Sequence, residues 1–106
     1  MSIQENINNV REWGIEKGIT GPNGQATLQT QFAKTLEEVA ELSDAIDTSD
    51  HDGITDGIGD TAVTLIMLSE IHGISFEDCL SWAYHEIKSR TGRMIDGAFV
   101  KDTEGK

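Results

Sequence analysis

Residues Glu37–Asp60 read EEVAELSDAIDTSDHDGITDGIGD, and the spacing of their acids decides how the whole chain is read. Nine of these 24 residues are Asp or Glu, and none is Lys or Arg. Glu37, Glu38 and Glu41 form one set at helical spacing, and Asp56 and Asp60 form a second. Side chains three or four apart share one face of a helix, so each set can aim its oxygens in one direction. Carboxylates held that close raise one another's pKa unless a cation lies between them. Hard oxygen donors suit magnesium or manganese, which in turn hold phosphate groups.

Outward from this stretch, apolar periodicity predicts an all-α chain. Upstream, Leu28, Phe32, Leu36, Val39, Leu42 and Ile46 make the apolar face of a helix from about Ala26 to Asp47, with Glu37 and Glu41 pointing away from it and Lys34 beside them. Before it, Ile3, Ile7, Val10 and Trp13 form the stripe of a first helix that stops at Gly18, and TGPNGQ (Thr20–Gln25) is a loop. Downstream, Thr48–Gly53 reads as a connection, followed by a third helix from about Gly53 to His72 with Gly73 as its cap. Asp56 and Asp60 extend the stripe of Val63, Met67 and Ile71, while Ile54, Ile58, Leu65 and Leu68 make the opposite side apolar too. A helix apolar nearly all round is expected to be buried, and buried carboxylates need a partner or a metal. Gly57 and Gly59 flank the pair and point to a close approach by another backbone or a ligand.

Ser75 and Asp78 open a fourth helix, predicted to reach about Arg90, with Cys79, Leu80, Ala83, Tyr84 and Ile87 on its apolar face. Asp96-Gly97 between Met94-Ile95 and Phe99-Val100 predicts a short β-hairpin or extended arm, then a frayed tail from Lys101 to Lys106. The expectation is one domain over residues 1–106, with a modest core that an oligomer would supplement.

Several function classes are disfavoured. The net charge of −11, with 13 acids and no Lys or Arg between Thr35 and Ile87, argues against binding to nucleic acid or an anionic membrane. A calcium loop fails in both registers: with Gly53 as its glycine, Gly59 falls where a bidentate Glu is needed, and with Gly57, Ile54 and Val63 fall at ligand positions. Cys79 is the single cysteine and reads as a small buried apolar residue, so no disulfide framework forms within one chain. His72 and His85 read as ordinary polar residues. Neither a signal peptide nor an apolar run long enough to span a bilayer is seen, so a reduced, cytoplasmic protein is expected. The sequence offers neither a Ser-His-Asp or Cys-His arrangement nor a phosphate-binding glycine loop.

The order of features, with Gln31 and Lys34 leading into EEVAEL, an acidic connection, and Gly59-Asp60 ahead of an apolar helix, resembles the MazG-like family of all-α nucleoside triphosphate pyrophosphohydrolases. The tail from AYHEIKSRTGRM to GAFVK resembles that of small stand-alone members, many of them from phages, so the likeness covers nearly the whole chain. The family signature pairs ExxE on one helix with ExxD on the next. Glu38 and Glu41 match the first half and Asp60 ends the second; Gly57 stands where its Glu is expected, and Asp56 is the substitute one residue earlier.

The resemblance implies a four-helix subunit in a homodimer or homotetramer, with the active site near a subunit interface. It implies hydrolysis of a ribo- or deoxynucleoside triphosphate to the monophosphate and pyrophosphate, a reaction that serves nucleotide-pool control. Glu38, Glu41, Asp56 and Asp60 would hold Mg2+, or Mn2+ in its place. Glu37 would be a further ligand or the base that orients water, next to Glu38 in the catalytic set. Gln31, Lys34, Lys88, Arg90 and Arg93 would contact substrate. Two other readings stay open: a non-catalytic acidic interaction module that mimics DNA, and a degenerate family member that binds nucleotide without turnover. In either of the enzymatic and mimic readings Asp44 lies outside both acid sets.

Overall fold

The structure, a computed structural model, describes residues 1–102. Four helices are followed by a strand pair: α1 (Ile3–Glu16), α2 (Leu28–Asp47), α3 (His51–His72), α4 (Phe76–Ile87), β1 (Gly92–Ile95) and β2 (Ala98–Lys101). The all-α reading with a C-terminal hairpin holds. The chain forms two compact units, Met1–Phe76 with α1 to α3, and a second from Glu77 onward.

Each helix of the first unit starts on a side-chain cap. Ser2 accepts from the Glu5 backbone at 3.0 Å, and its own N–H donates to Glu5 Oε1 at 2.7 Å. That bond holds the Glu5 carboxyl below its ordinary pKa. Thr27 and Thr30 make the same reciprocal pair before α2. Asp50 caps α3 by accepting from Gly53 N at 3.0 Å, so the helix begins at His51, two residues earlier than the sequence implies. A run of acids and polar residues conceals this start, because the capping Asp looks like loop composition. At the other end Gly73 takes the left-handed conformation, φ 87°, as expected.

α2 and α3 pack as a helical hairpin, and the contact departs from the apolar pattern. Gln31, Thr35 and Ala45 are the buried residues of α2, whereas Phe32, Leu36 and Ile46 of the predicted packing stripe are each more than half exposed. α3 contributes Gly57, Thr64, Ile66, Met67 and Ser69 to the interior, and Ile58 stays 59% exposed, so this helix is not covered all round. Closeness explains the choice. A Cβ on Gly57 would lie 3.0 Å from Leu42 Cδ1, so glycine favours the close approach of the two helices here. Gly59, by contrast, would meet nothing within 4 Å. The buried hydroxyls of α2 and α3 are satisfied locally: Thr35 donates to Gln31 O, Thr64 to Thr61 O and Ser69 to Ile66 O.

α1 lies against α3. Gly14 is buried where a Cβ would collide with Met67 Sδ, and Arg11 Nε donates to Glu70 Oε2 at 3.0 Å. After α1 the chain folds back on itself, with Gln25 N donating to Gly18 O and Ala26 N to Ile19 O. This brings Ile19 and Ala26 beside Trp13, around the cavity described below.

In the second unit α4 ends at Ile87, three residues short of Arg90, and Gly92 opens β1 rather than closing the helix. The strands pair antiparallel with Ile95 opposite Ala98. Asp96 and Gly97 both have positive φ, 51° and 84°, as a type I′ turn requires. Cys79 takes part in no disulfide and is half-buried, short of the full burial that its sequence reading implies. No helix among the described residues is long and apolar enough to cross a membrane.

Candidate functional site

The α2–α3 hairpin builds two cavities that share one residue. The first, about 500 Å³, is bounded by Trp13, Gln31, Lys34, Glu38, Asp60 and Met67, with Ile19 and Thr64 among its other walls. The second, about 300 Å³, carries Glu41, Asp44, Asp50, Asp56 and Asp60 around Gly57. Asp60 lines both. Because the helices run antiparallel, the α2 face that begins at Gln31 opposite Thr64 reaches Glu38 one pair of turns later, opposite Asp60.

Electrostatics follows from this placement. Partial burial pushes Glu38 above its ordinary pKa, and the charges of Glu41 and Asp60 push it further, while Lys34 pulls the other way. Burial also raises Asp60, as do the charge of Asp56 and a hydrogen bond with that neighbouring carboxyl. Four of the expected residues, Glu38, Glu41, Asp56 and Asp60, thus feel one another across two helices. Each is a hard carboxylate donor, and a divalent cation would relieve the repulsion that raises Glu38 and Asp60, so the set fits such an ion. Among the described residues no three His, Cys, Asp or Glu side chains converge closely enough to hold one as they stand.

Glu37 is placed differently. It accepts from Lys34 Nζ at 3.1 Å on the exposed side of α2 and lines neither cavity. Lys34 itself reaches the first cavity, as does Gln31. Lys88, Arg90 and Arg93 are exposed residues of the second unit, on the turn after α4 and on β1. Asp44, read from the sequence as lying outside the acid sets, shares a cavity with Glu41, Asp56 and Asp60. Trp13 is the other residue that sequence reasoning missed. As the last member of the α1 stripe it reads as core, yet it is 42% exposed and walls the first cavity. Its signal lies in the following loop, whose proline and glycines turn the chain back towards it.

The position of Gly57 gives the departure from the signature a physical form. The side of α3 where the signature Glu would stand is occupied by Leu42, and Asp56, one position away, opens onto the acidic cavity instead.

A family model described as the MazG nucleotide pyrophosphohydrolase domain matches residues 26–94. An uncharacterized 18.2 kDa protein of Haemophilus phage HP1, from its rep-hol intergenic region, is 31% identical over 68 residues. That match covers 64% of this chain and 40% of the phage protein, so the chain spans less than half of that relative's length. No solved structure matches. With both halves of the acid pattern on facing helices inside the matched region, the chain belongs to the MazG nucleotide pyrophosphohydrolase domain family.

Proposed function

We propose that the protein hydrolyses a ribo- or deoxynucleoside triphosphate to the monophosphate and pyrophosphate, acting as a single domain over its 106 residues in cytoplasmic control of the nucleotide pool. The observation that carries this reading is Asp60, which belongs to the acidic cavity and to the larger cavity beside it. One residue at the junction of an anionic pocket and a partly apolar one suits a ligand with a charged end and an uncharged end.

In this reading Glu38, Glu41, Asp56 and Asp60 hold magnesium or manganese. A bound divalent ion would neutralise the triphosphate and lower the pKa of water. Water adds to the α-phosphorus, the bond from that phosphorus to the bridging oxygen breaks, and pyrophosphate leaves with the electron pair. Glu37, next to Glu38 in the catalytic set, orients water and takes its proton once Lys34 is drawn to a phosphate. Gln31 and Lys34 contact substrate from α2, and Lys88, Arg90 and Arg93 supply further cation contacts.

Assembly as a homodimer or homotetramer is part of the same reading. Its support is the stripe of Phe32, Leu36, Val39 and Ile46, four apolar residues of one helix at 45–55% exposure. An assembly resting mainly on Ile54–Ile71 of α3, the segment whose apolar residues lie nearly all round the helix, is less well supported, since that helix contributes half of the buried residues among those described.

The test is a screen of all ribo- and deoxynucleoside triphosphates with magnesium, reading pyrophosphate. Release of pyrophosphate from at least one, lost on chelation, is the expected result. Binding without release would favour the degenerate reading. Neither binding nor release, with tight capture of a basic protein, would favour the acidic mimic.

A further inference from the structure

The two halves of α3 differ in what keeps them helical. Its first ten residues, HDGITDGIGD from His51 to Asp60, hold three glycines and none of the residues that favour a helix, Ala, Leu, Met, Gln, Glu, Lys or Arg. Asp52, Asp56 and Asp60 stand four apart in this half, and like charges at that spacing oppose a helix. Packing compensates little, because Gly57 is its only buried residue, whereas Thr64, Ile66, Met67 and Ser69 anchor the second half. A segment with few buried contacts and poor propensity opens locally before the rest of its domain.

The three glycines differ in turn. A Cβ on Gly53 would lie 2.6 Å from Oδ2 of the capping Asp50, and Gly57 faces Leu42. Gly59 has neither reason. A Cβ on it would meet nothing within 4 Å, because it borders a cavity of about 390 Å³ walled by Ile3, Ile7 and Val10 of α1. No packing demands glycine there, and its remaining effect is the conformational freedom it gives the chain. Among the described residues, moreover, the acids of α2 and α3 do not converge on one point as they stand, so an ion held by both helices has to draw one towards the other.

We infer that His51–Asp60 is a cation-ordered segment: without a divalent ion this half of α3 opens and recloses, and an ion shared by Asp56, Asp60 and the α2 acids holds it shut. The inference rests on the cation reading above and adds that binding and helix formation are one event. Asp56 and Asp60 are four apart, so an ion between them turns their repulsion into a clamp on one helical turn. The glycines then lower metal affinity, since only the closed fraction of the segment is competent to bind.

The test follows amide hydrogen exchange of the intact chain with and without magnesium, while calorimetry records whether magnesium binds. Peptides within 51–60 should gain at least about tenfold protection on binding, and those within 61–72 should change little. Sodium chloride at matched ionic strength should not reproduce the gain. Gly59→Ala, whose added methyl has room, should raise metal-free protection of 51–60 by about fivefold and tighten magnesium binding by a similar factor. Magnesium binding with 51–60 equally protected in both states overturns the inference and leaves the cation site standing. The inference is also overturned by an equal gain in both halves of α3, by an equal gain from sodium chloride, or by weaker magnesium binding in Gly59→Ala. Absence of binding by both magnesium and manganese removes the inference and the cation reading together.

Discussion

Around α2, the face turned to α3 carries Gln31, Thr35, Glu38 and Ala45, while the face turned away carries Phe32, Leu36, Val39 and Ile46. Amphipathic reasoning places the second set inside and the first outside. The chain does the opposite, because a glycine and several hydroxyl-bearing residues let α2 and α3 approach through small and polar side chains. Apolar spacing therefore identifies a surface that must be covered without identifying what covers it. On this helix the polar face is the one suited to chemistry, and the apolar face stays exposed, where the proposed assembly would cover it.

The comparison breaks first on activity. Alanine at Glu41, Asp56 or Asp60 should each slow pyrophosphate release by about two to three orders of magnitude, corresponding to roughly 3–4 kcal/mol of transition-state stabilisation. Asp44→Ala should have an intermediate effect of about tenfold, since Asp44 lines the acidic cavity. Loss of turnover that followed total negative charge, with Asp44→Ala as damaging as Asp60→Ala, would erase the distinction between the faces in favour of a charge mimic.

Next comes the apolar face. Phe32→Glu with Leu36→Glu should lower the mass seen by light scattering to that of a monomer and reduce the melting temperature. Each side chain withdrawn from an interface gives up about 1.5–3 kcal/mol. If the unaltered chain is already monomeric at micromolar concentration, the stripe does not hold a second copy.

Metal sharpens the polar face. Magnesium at about 100 times its dissociation constant should add about 2.7 kcal/mol of stability, and Asp60→Asn should remove most of this gain. An unchanged melting temperature with either magnesium or manganese would mean that the four acids do not form a cation site.

The smallest effect is that of pH on the metal-free protein. Asp60 has a folded pKa above its ordinary value, so between the two the folded chain binds more protons than the unfolded one. Stability then falls as pH rises through that window and stays lower above it. Metal-free Asp60→Asn should accordingly melt above the parent at neutral pH, with the difference shrinking as pH drops towards 4. A parent more stable than Asp60→Asn at neutral pH without metal would show that Asp60 is not under repulsion.

Much of this was legible beforehand, for reasons tied to particular residues. Gly73 and Asp96-Gly97 announce their turns because few residues tolerate positive φ, and the 3.6-residue period marks all four helices. Helical spacing grouped Glu37 with Glu38 and Glu41, and Asp56 with Asp60, but it did not separate Glu37, which lines neither cavity, from its neighbours. The start of α3 was not, since Asp50 resembles its loop neighbours until its bond to Gly53 N is seen. Nor was the cavity that joins Trp13 to Gln31, because two residues from different helices carry no shared period. Asp44 was misplaced for a similar reason: its proximity to Asp56 arises only when α2 turns back into α3.

The contact between Gly57 and Leu42 has an evolutionary consequence. A side chain at position 57 would begin 3.0 Å from Leu42 Cδ1, so a glutamate there asks Leu42 to give way. Shortening Leu42 alone would leave a void against Gly57. The two changes are expected to compensate each other, as contacting positions on two helices do. Gly57→Glu should therefore be destabilising in the parent and substantially less so beside Leu42→Ala. A chain carrying Gly57 with Leu42 would then regain a glutamate at 57 most readily by changing both positions, with Asp56 as the acid it has meanwhile.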